Sequence, residues 1–200
     1  MSNKAKDNLS ERLLKKILIA NSLIYIGLSV LELNVRHYMT QALQSALGPD
    51  WLTNELTNPR IPLFIEEAAL IRRRKSQYFV LTGKKFLEEA SLGFWVELLN
   101  RETYKYLKGA PIKAFGWRPT TVKRNDIYTL FKDVKDLRNN IVHNRSPFGQ
   151  KKETDLLLLK KLLQAEQNVR LLISYINPPA LRLLPKNFDK KVKEIEKMIG

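Results

Sequence analysis

Apolar residues recur at intervals of three and four along most of the chain, the spacing that places them on one face of a helix. The first run covers residues 9–47 and ends at Gly48-Pro49, a pair that terminates helices. It predicts one long helix, or two helices separated by a break near Gly27.

The next part of the chain combines turn formers with shorter apolar runs. Residues 50–61 predict a loop, and a helix is expected from Pro62, a good first-turn residue, to residue 75. Thr82 can cap a further helix from Gly83 to about residue 107, with an interruption near Gly93.

The second half of the chain contains a linker and three further predicted helices. Glycine and proline mark residues 109–123 as the linker, and the helices are expected at about 125–143, 153–176 and 187–199. Because no segment shows the alternation typical of a strand, we predict an all-α fold, a bundle of long helices.

A single helical domain is expected for residues 1–176. Residues 177–200 then form a proline-containing linker and a short basic helix that packs on this domain or extends it. The most apolar run, residues 17–31, includes Asn21 and two serines and is shorter than the roughly 20 apolar residues of a membrane span. We therefore expect a buried helix, no membrane association and a cytoplasmic protein.

The charge of the chain is strongly unbalanced. Lys and Arg number 35 against 20 Asp and Glu, a net charge of +15, and most of the surplus lies in the second hundred residues. Such a surplus favours a polyanionic partner such as RNA, and the alternative is a solvated basic surface. The chain has no cysteine and only two histidines, so disulfides and thiolate chemistry are excluded and we expect neither metal nor cofactor.

One short motif could supply chemistry to a phosphate-binding surface. Residues 137–145 read Leu-Arg-Asn-Asn-Ile-Val-His-Asn-Arg, which places Arg138 five positions before His143. A guanidinium can hold a phosphate, and an imidazole can take the proton from an RNA 2′-hydroxyl that attacks phosphorus. Residues five apart on a regular helix are rotated by about 140°, so convergence needs a distorted helix end or a two-fold dimer.

This motif and two others resemble the Abi-like proteins of bacterial abortive-infection systems, which belong to the HEPN superfamily. Residues 137–145 are similar to the family's LRN-x-x-x-H-x-R signature. Residues 91–99 resemble its apolar FG-W segment, and residues 31–36 resemble its early E-x-x-x-R helix motif. The three patches follow the family's order across about residues 20–150.

The resemblance implies a HEPN-like helical bundle and a homodimer. It also implies a metal-independent endoribonuclease that acts as a toxin in phage defence and is restrained by an antitoxin. It assigns catalysis to Arg138 and His143, with Asn139 as the polar residue that orients them. Further residues near the motifs would support the active site: Glu32, Arg36, Asn144 and Arg145.

These residues also have structural interpretations. Arg138 could pair with Asp133 or Asp136 on its own helix, and Glu32 could pair with Arg36 one turn away. The histidine of the motif could be a helix-end residue stabilised by the helix dipole.

The linker interleaves aromatic and cationic side chains, a combination that binds unpaired bases and phosphates. Its candidate RNA-binding residues are Lys113, Phe115, Trp117, Arg118, Lys123 and Arg124. The alternative is that the aromatic rings pin the linker to the core. A second cationic run, residues 72–75, would wrap around a helix end as a solvated surface or an RNA contact.

The first function hypothesis is therefore an endoribonuclease. The second is a non-catalytic RNA-binding module that complexes a specific small RNA or an antitoxin partner. The third is a membrane-surface protein built on the basic C-terminal helix.

Overall fold

The computed structural model describes residues 3–57, 60–142 and 152–199, and every regular element in these ranges is helical. The elements are α1 (Asn3–Leu47), α2 (Trp51–Thr57), α3 (Pro62–Arg73), α4 (Gly83–Glu89), α5 (Leu92–Glu97), α6 (Arg101–Tyr106), a first 3₁₀ helix (Ala110–Ala114), α7 (Arg124–Val142), α8 (Lys152–Ile176), a second 3₁₀ helix (Pro178–Leu183) and α9 (Phe188–Ile199). For this part of the chain the predicted all-α class is confirmed.

The helix α1 continues through Gly27, so the prediction of a single long helix is the correct one. Gly27 allows a close approach of α8, because a Cβ at this position would lie 3.3 Å from Cγ1 of Val169. One face of α1 is buried against the first 3₁₀ helix, α8 and α9. Its core residues follow the predicted spacing of three and four: Ile24, Leu28, Leu31, Val35, Met39 and Leu43.

Three helices from the second half of the chain complete the bundle around α1. The helix α8 packs against α1, α7 and α9, and α9 packs against both α1 and α8. The buried face of α9 consists of Phe188, Val192 and Ile195. Burial of these side chains removes apolar surface from water and fixes the C-terminal helix on the bundle.

The short helices α2 to α5 pack around an aromatic cluster. The ring centroid of Phe94 lies 5.3 Å from that of Phe64 and 5.1 Å from that of Phe86, both in edge-to-face contact. Trp51 and Trp95 extend the cluster at its two sides. This cluster anchors α3, α4 and α5, which carry part of the candidate site.

The predicted loop at residues 50–61 is wrong for Trp51–Thr57, which form α2. Trp51, Leu52 and Glu55 lie on one side of this helix and are buried. The helix is therefore formed by packing of its apolar side, whereas the run is too short for its periodicity to be recognised in the sequence.

The helix predicted from Gly83 to about residue 107, with one interruption near Gly93, is wrong in its continuity, because this segment forms the three helices α4, α5 and α6. Thr82 caps α4 as predicted, accepting from the backbone N–H of Lys85. The chain leaves the helical region at Ala90, and the Ser91 hydroxyl accepts from Phe94 N–H at 3.1 Å to begin α5. Asn100 caps α6 in the same way, while the predicted interruption near Gly93 falls inside α5.

Candidate functional site

Arg138 lies near the end of α7 and reaches across to α1. Its Nε is 3.5 Å from Oε1 of Glu32, and the two side chains are 34% and 28% exposed. A guanidinium has five N–H donors, so a contact through Nε leaves others for a second anion. The fold thus joins two predicted site residues, and the described contacts of Arg138 include no pair with Asp133 or Asp136.

The position of α7 is fixed by a carboxylate on α5. Glu97 Oε1 lies 3.7 Å from Lys135 Nζ, and Glu97 Oε2 accepts a hydrogen bond of 3.4 Å from the Tyr128 hydroxyl. Phe131 and Val134 are fully buried on the same helix. Since Lys135 is one turn before Arg138, these contacts hold the part of α7 that carries Arg138 against α5.

A row of polar side chains runs along α1 at Glu32, Arg36 and Thr40, each four residues after the last. Arg36 Nε and Thr40 Oγ1 are buried and have no hydrogen-bond partner among the described residues. No ion pair joins Glu32 to Arg36 in this part of the chain. Buried polar atoms are nearly always hydrogen-bonded, so unpartnered donors mark a candidate functional surface. The repeated spacing of four is the signal that could have pointed to Thr40.

The C-terminal end of α4 carries a further carboxylate, Glu89. Lys75 Nζ donates to Oε1 of Glu89 at 2.5 Å, and this hydrogen bond is the main cause that lowers the pKa of the Glu89 carboxyl. Burial opposes it, and the charges of Lys75, Arg74 and Arg36 lower the pKa further, with Arg36 contributing least. In the sequence Glu89 is one of two adjacent glutamates, and nothing there connects it with α1.

The remaining residues of the predicted catalytic motif divide into two groups. Asn139 follows Arg138 on α7 and is exposed. His143, Asn144 and Arg145 lie outside the described residues, so the predicted proton-transfer group stays a prediction.

Three of the predicted RNA-binding residues hold the linker itself. Phe115 is fully buried, as in the alternative in which the rings pin the linker to the core. Arg118 donates from Nε to the carbonyl of Val122 at 3.2 Å, and Arg124 donates from Nη1 to the carbonyl of Leu99 at 2.6 Å. These contacts fold the linker against the bundle, and the ring of Phe115 is closed to an RNA base.

The other three predicted RNA-binding residues lie at the surface. Trp117 is largely exposed, while its backbone N–H donates to the carbonyl of Tyr175 at 3.0 Å. Lys113 and Lys123 are exposed, and Lys123 Nζ donates to the carbonyl of Thr120 at 2.7 Å. The linker therefore presents one aromatic ring and two cations on a fixed backbone.

A groove of about 640 Å³ lies between the start of α3 and the helices α5 and α6. Its lining includes the carboxylates of Glu66, Glu97 and Glu102, with Arg60 and Tyr106 at one end. Because carboxylates repel phosphate, this groove does not suit the partner that the net charge favours.

In the described ranges, no three His, Asp or Glu side chains converge where they could hold a metal ion. None of the helices in those ranges is both long and apolar enough to cross a membrane. No protein family model, curated protein or solved structure matches the chain.

Proposed function

We propose that the protein is a metal-independent endoribonuclease of the HEPN type that acts as an abortive-infection toxin against phage. The observation that carries the proposal is the pair formed by Arg138 and Glu32, in which a second helix holds a solvent-accessible guanidinium. The motif at residues 137–145 and the net charge of +15 support the same function.

In the proposed reaction, Arg138 binds the scissile phosphate and stabilises the negative charge that develops on its oxygens. His143 accepts the proton of the 2′-hydroxyl, whose oxygen attacks phosphorus. The bond from phosphorus to the 5′-oxygen breaks, and that oxygen takes up a proton. The products carry a cyclic phosphate and a free 5′-hydroxyl. Asn139, Arg36, Asn144 and Arg145 have supporting roles, and Glu32 positions Arg138.

The exposed face of α1 supports the proposed homodimer. Ile19, Ile26 and Leu33 are exposed and lie seven residues apart, the repeat of a coiled-coil seam. Ser22 and Ser29 lie between them, and each hydroxyl donates to the carbonyl four residues earlier at 2.9 Å. Because these hydroxyls are satisfied within the helix, an interface can bury them without leaving an unpaired polar group.

In the proposed dimer, this stripe packs against the same stripe of a second copy. Glu32 immediately precedes Leu33 at one end of the stripe, so a two-fold axis nearby would bring the two Arg138 sites together. Two copies of His143 would then be available for the two proton transfers.

Replacing Ile26 with Lys tests the dimer, since two buried ammonium groups would face each other at the seam. We expect sedimentation to show a dimer for the wild type and a monomer for Ile26→Lys, with cleavage lost at the same time. Ile65→Lys is the matched control on the exposed side of α3 and should remain dimeric. A dimeric Ile26→Lys, or a fully active monomer, would contradict the proposed interface.

The decisive test of the function is cleavage of structured and total RNA in EDTA, with the product ends identified. We expect the wild type to cut, and Arg138→Ala and His143→Ala each to lose at least about 100-fold in rate. Arg182→Ala changes an exposed arginine on the second 3₁₀ helix and should leave the rate unchanged. Cleavage that requires Mg²⁺, or that persists in His143→Ala, would contradict the proposed mechanism.

The second candidate function is a non-catalytic RNA-binding module that complexes a small RNA or an antitoxin partner. The exposed Trp117, with Lys113 and Lys123 nearby, favours it because these groups can bind RNA without Arg138. Salt-sensitive RNA binding without turnover, unchanged in His143→Ala, would select this function over the enzyme.

A further inference from the structure

The segment that connects α3 to α4 presents an aromatic and cationic surface that the proposed function does not yet use. Tyr78 is 84% exposed and Val80 is 68% exposed. Arg72 and Arg73, near the end of α3, and Lys85, in the first turn of α4, are also exposed. We refer to these five residues as the α3–α4 surface. An aromatic and an aliphatic side chain exposed two positions apart, with three exposed cations on the flanking helices, make this segment a candidate binding surface for a flexible polyanion.

The α3–α4 surface rests on a fixed base. The Phe79 ring contacts two ammonium groups, with its centroid 5.7 Å from Lys75 Nζ and 5.0 Å from Lys85 Nζ. The Phe79 backbone N–H donates to the carbonyl of Ser76 at 3.0 Å. The half-buried Phe79 thus holds the segment in place, and Tyr78, its neighbour, is directed to solvent.

Hydrogen bonds tie the base of the surface to the end of α4. Lys75 is bonded to Glu89, and Arg74 Nη2 donates to the Glu89 carbonyl at 3.3 Å. The charge of Arg36, on α1, also lowers the pKa of the Glu89 carboxyl, by less than the Lys75 hydrogen bond and the charges of Lys75 and Arg74. Arg36 follows Glu32 by one turn of α1, about 6 Å along the helix axis, and Glu32 holds Arg138.

We propose that the α3–α4 surface binds a single-stranded segment of the RNA whose scissile phosphate is held at Arg138; the inference rests on the proposed function. Tyr78 stacks on an unpaired base, and Arg72, Arg73 and Lys85 bind the phosphates on either side. Lys84 Nζ lies 4.0 Å from Oε1 of Glu88, and the negative charge of that carboxylate offsets the positive charge of Lys84. Lys84 therefore adds little to the positive charge of the surface.

Single-stranded RNA fits this surface better than a membrane does. Its exposed apolar side chains are Tyr78 and Val80, whereas an interfacial segment buries a broad apolar face. A flat ring surrounded by cations matches the alternating bases and phosphates of a flexible strand.

The test is equilibrium binding of a labelled single-stranded RNA at several salt concentrations, using full-length His143→Ala protein so that the probe survives. In this background, Tyr78→Ala should weaken binding about tenfold, since it removes one base stack, and Tyr78→Trp should restore it. The double change Arg72→Glu and Arg73→Glu should weaken binding. It should also lower the slope of the logarithm of the binding constant against the logarithm of the salt concentration by the equivalent of about two phosphate contacts.

The matched control is the double change Arg182→Glu and Lys186→Glu, which alters the charge equally at exposed positions in and after the second 3₁₀ helix. It should leave both the affinity and the salt dependence unchanged. An equal loss in the control and the test variant would overturn the proposal, because binding would then follow net charge alone. Tyr78-dependent binding to vesicles containing phosphatidylserine, with RNA binding unaffected, would also overturn it.

The outcomes for the surface and for the nuclease can be told apart. Loss of RNA binding in Tyr78→Ala, combined with a wild type that cuts no RNA, would support the surface and remove the enzyme. Unchanged RNA binding in Tyr78→Ala, combined with Arg138-dependent cutting, would remove the surface and support the enzyme.

Discussion

Two arginine–glutamate pairs, Arg170 with Glu166 and Arg138 with Glu32, consist of the same side chains in different surroundings. Within α8, Arg170 Nε donates to Oε1 of Glu166, and Arg170 Nη2 donates to the carbonyl of Pro185 at 2.6 Å. Between α1 and α7, Arg138 Nε lies 3.5 Å from Oε1 of Glu32. The arginines are equally accessible, with 36% and 34% of their side chains exposed. The glutamates differ, with 11% exposed for Glu166 and 28% for Glu32.

The burial of Glu166 shows what its pair does. Burial raises the pKa of the Glu166 carboxyl, and the charge of Arg170 opposes this effect without outweighing it. The pair ties α8 to the segment that leads into α9, so its donors are used within the fold. At Arg138 the partner carboxylate is partly exposed, and among the described residues the guanidinium is in contact with Glu32 through Nε, which leaves its other donors for an external anion. The accessibility of the glutamate therefore separates a structural pair from a candidate binding pair.

The largest effect that distinguishes the two pairs is expected at Arg170. Arg170→Met keeps the aliphatic stem but leaves the Glu166 carboxylate and the Pro185 carbonyl unpaired. We expect the free energy of unfolding to fall by about 2 kcal/mol at neutral pH, measured by urea denaturation. A carboxyl whose pKa is raised by folding destabilises the native state when it ionises. The loss should therefore shrink as the pH falls through the folded-state pKa of Glu166.

Lys84→Met is the matched control for this prediction. Lys84 and Glu88 also stand four residues apart on a helix, but both side chains are exposed, at a distance of 4.0 Å. The change should alter the free energy of unfolding by no more than about 0.5 kcal/mol. If Arg170→Met lowers the free energy of unfolding by no more than Lys84→Met does, the buried pair of Arg170 and Glu166 does not stabilise the fold. The proposed difference between this pair and that of Arg138 with Glu32 would then be wrong.

The long helices were predictable from the sequence because each is long enough for the apolar spacing of three and four residues to repeat several times. The turn at Gly48 and the Thr82 cap were predictable from local chemistry. The segment from Gly83 to about residue 107 was not, because Ser91 and Asn100 end and restart helices through side-chain caps that interrupt an otherwise continuous apolar pattern.

The candidate site was predictable as a set of residues but not as an arrangement. The motifs named Glu32 and Arg138 separately, and only the packing of α1 near α7 makes them partners. The involvement of Glu89 and the burial of Phe115 depend on tertiary contacts that no local pattern encodes. In the linker, aromatic and basic residues gave the same signal whether they faced RNA or the core.

A smaller effect is expected at Glu32, which we propose to be a positioning residue. Glu32→Ala should lower kcat for RNA cleavage about tenfold with little change in KM, because Arg138 would still meet the phosphate but would lose its fixed orientation. Glu32→Gln keeps an acceptor oxygen for Nε and should recover part of the rate. The thermal midpoint should hardly change in either variant, since the pair is partly exposed.

Glu102→Ala removes an exposed carboxylate from α6 and serves as the control, with kcat expected at the wild-type value. The double variant Glu32→Ala with Arg138→Ala should be no slower than Arg138→Ala alone, because Glu32 acts only through that guanidinium. Independent, additive losses would show instead that Glu32 contributes to cleavage in its own right. A large fall in the thermal midpoint of Glu32→Ala would place its pair with that of Glu166 among the contacts that hold the fold, and the distinction between the two pairs would disappear.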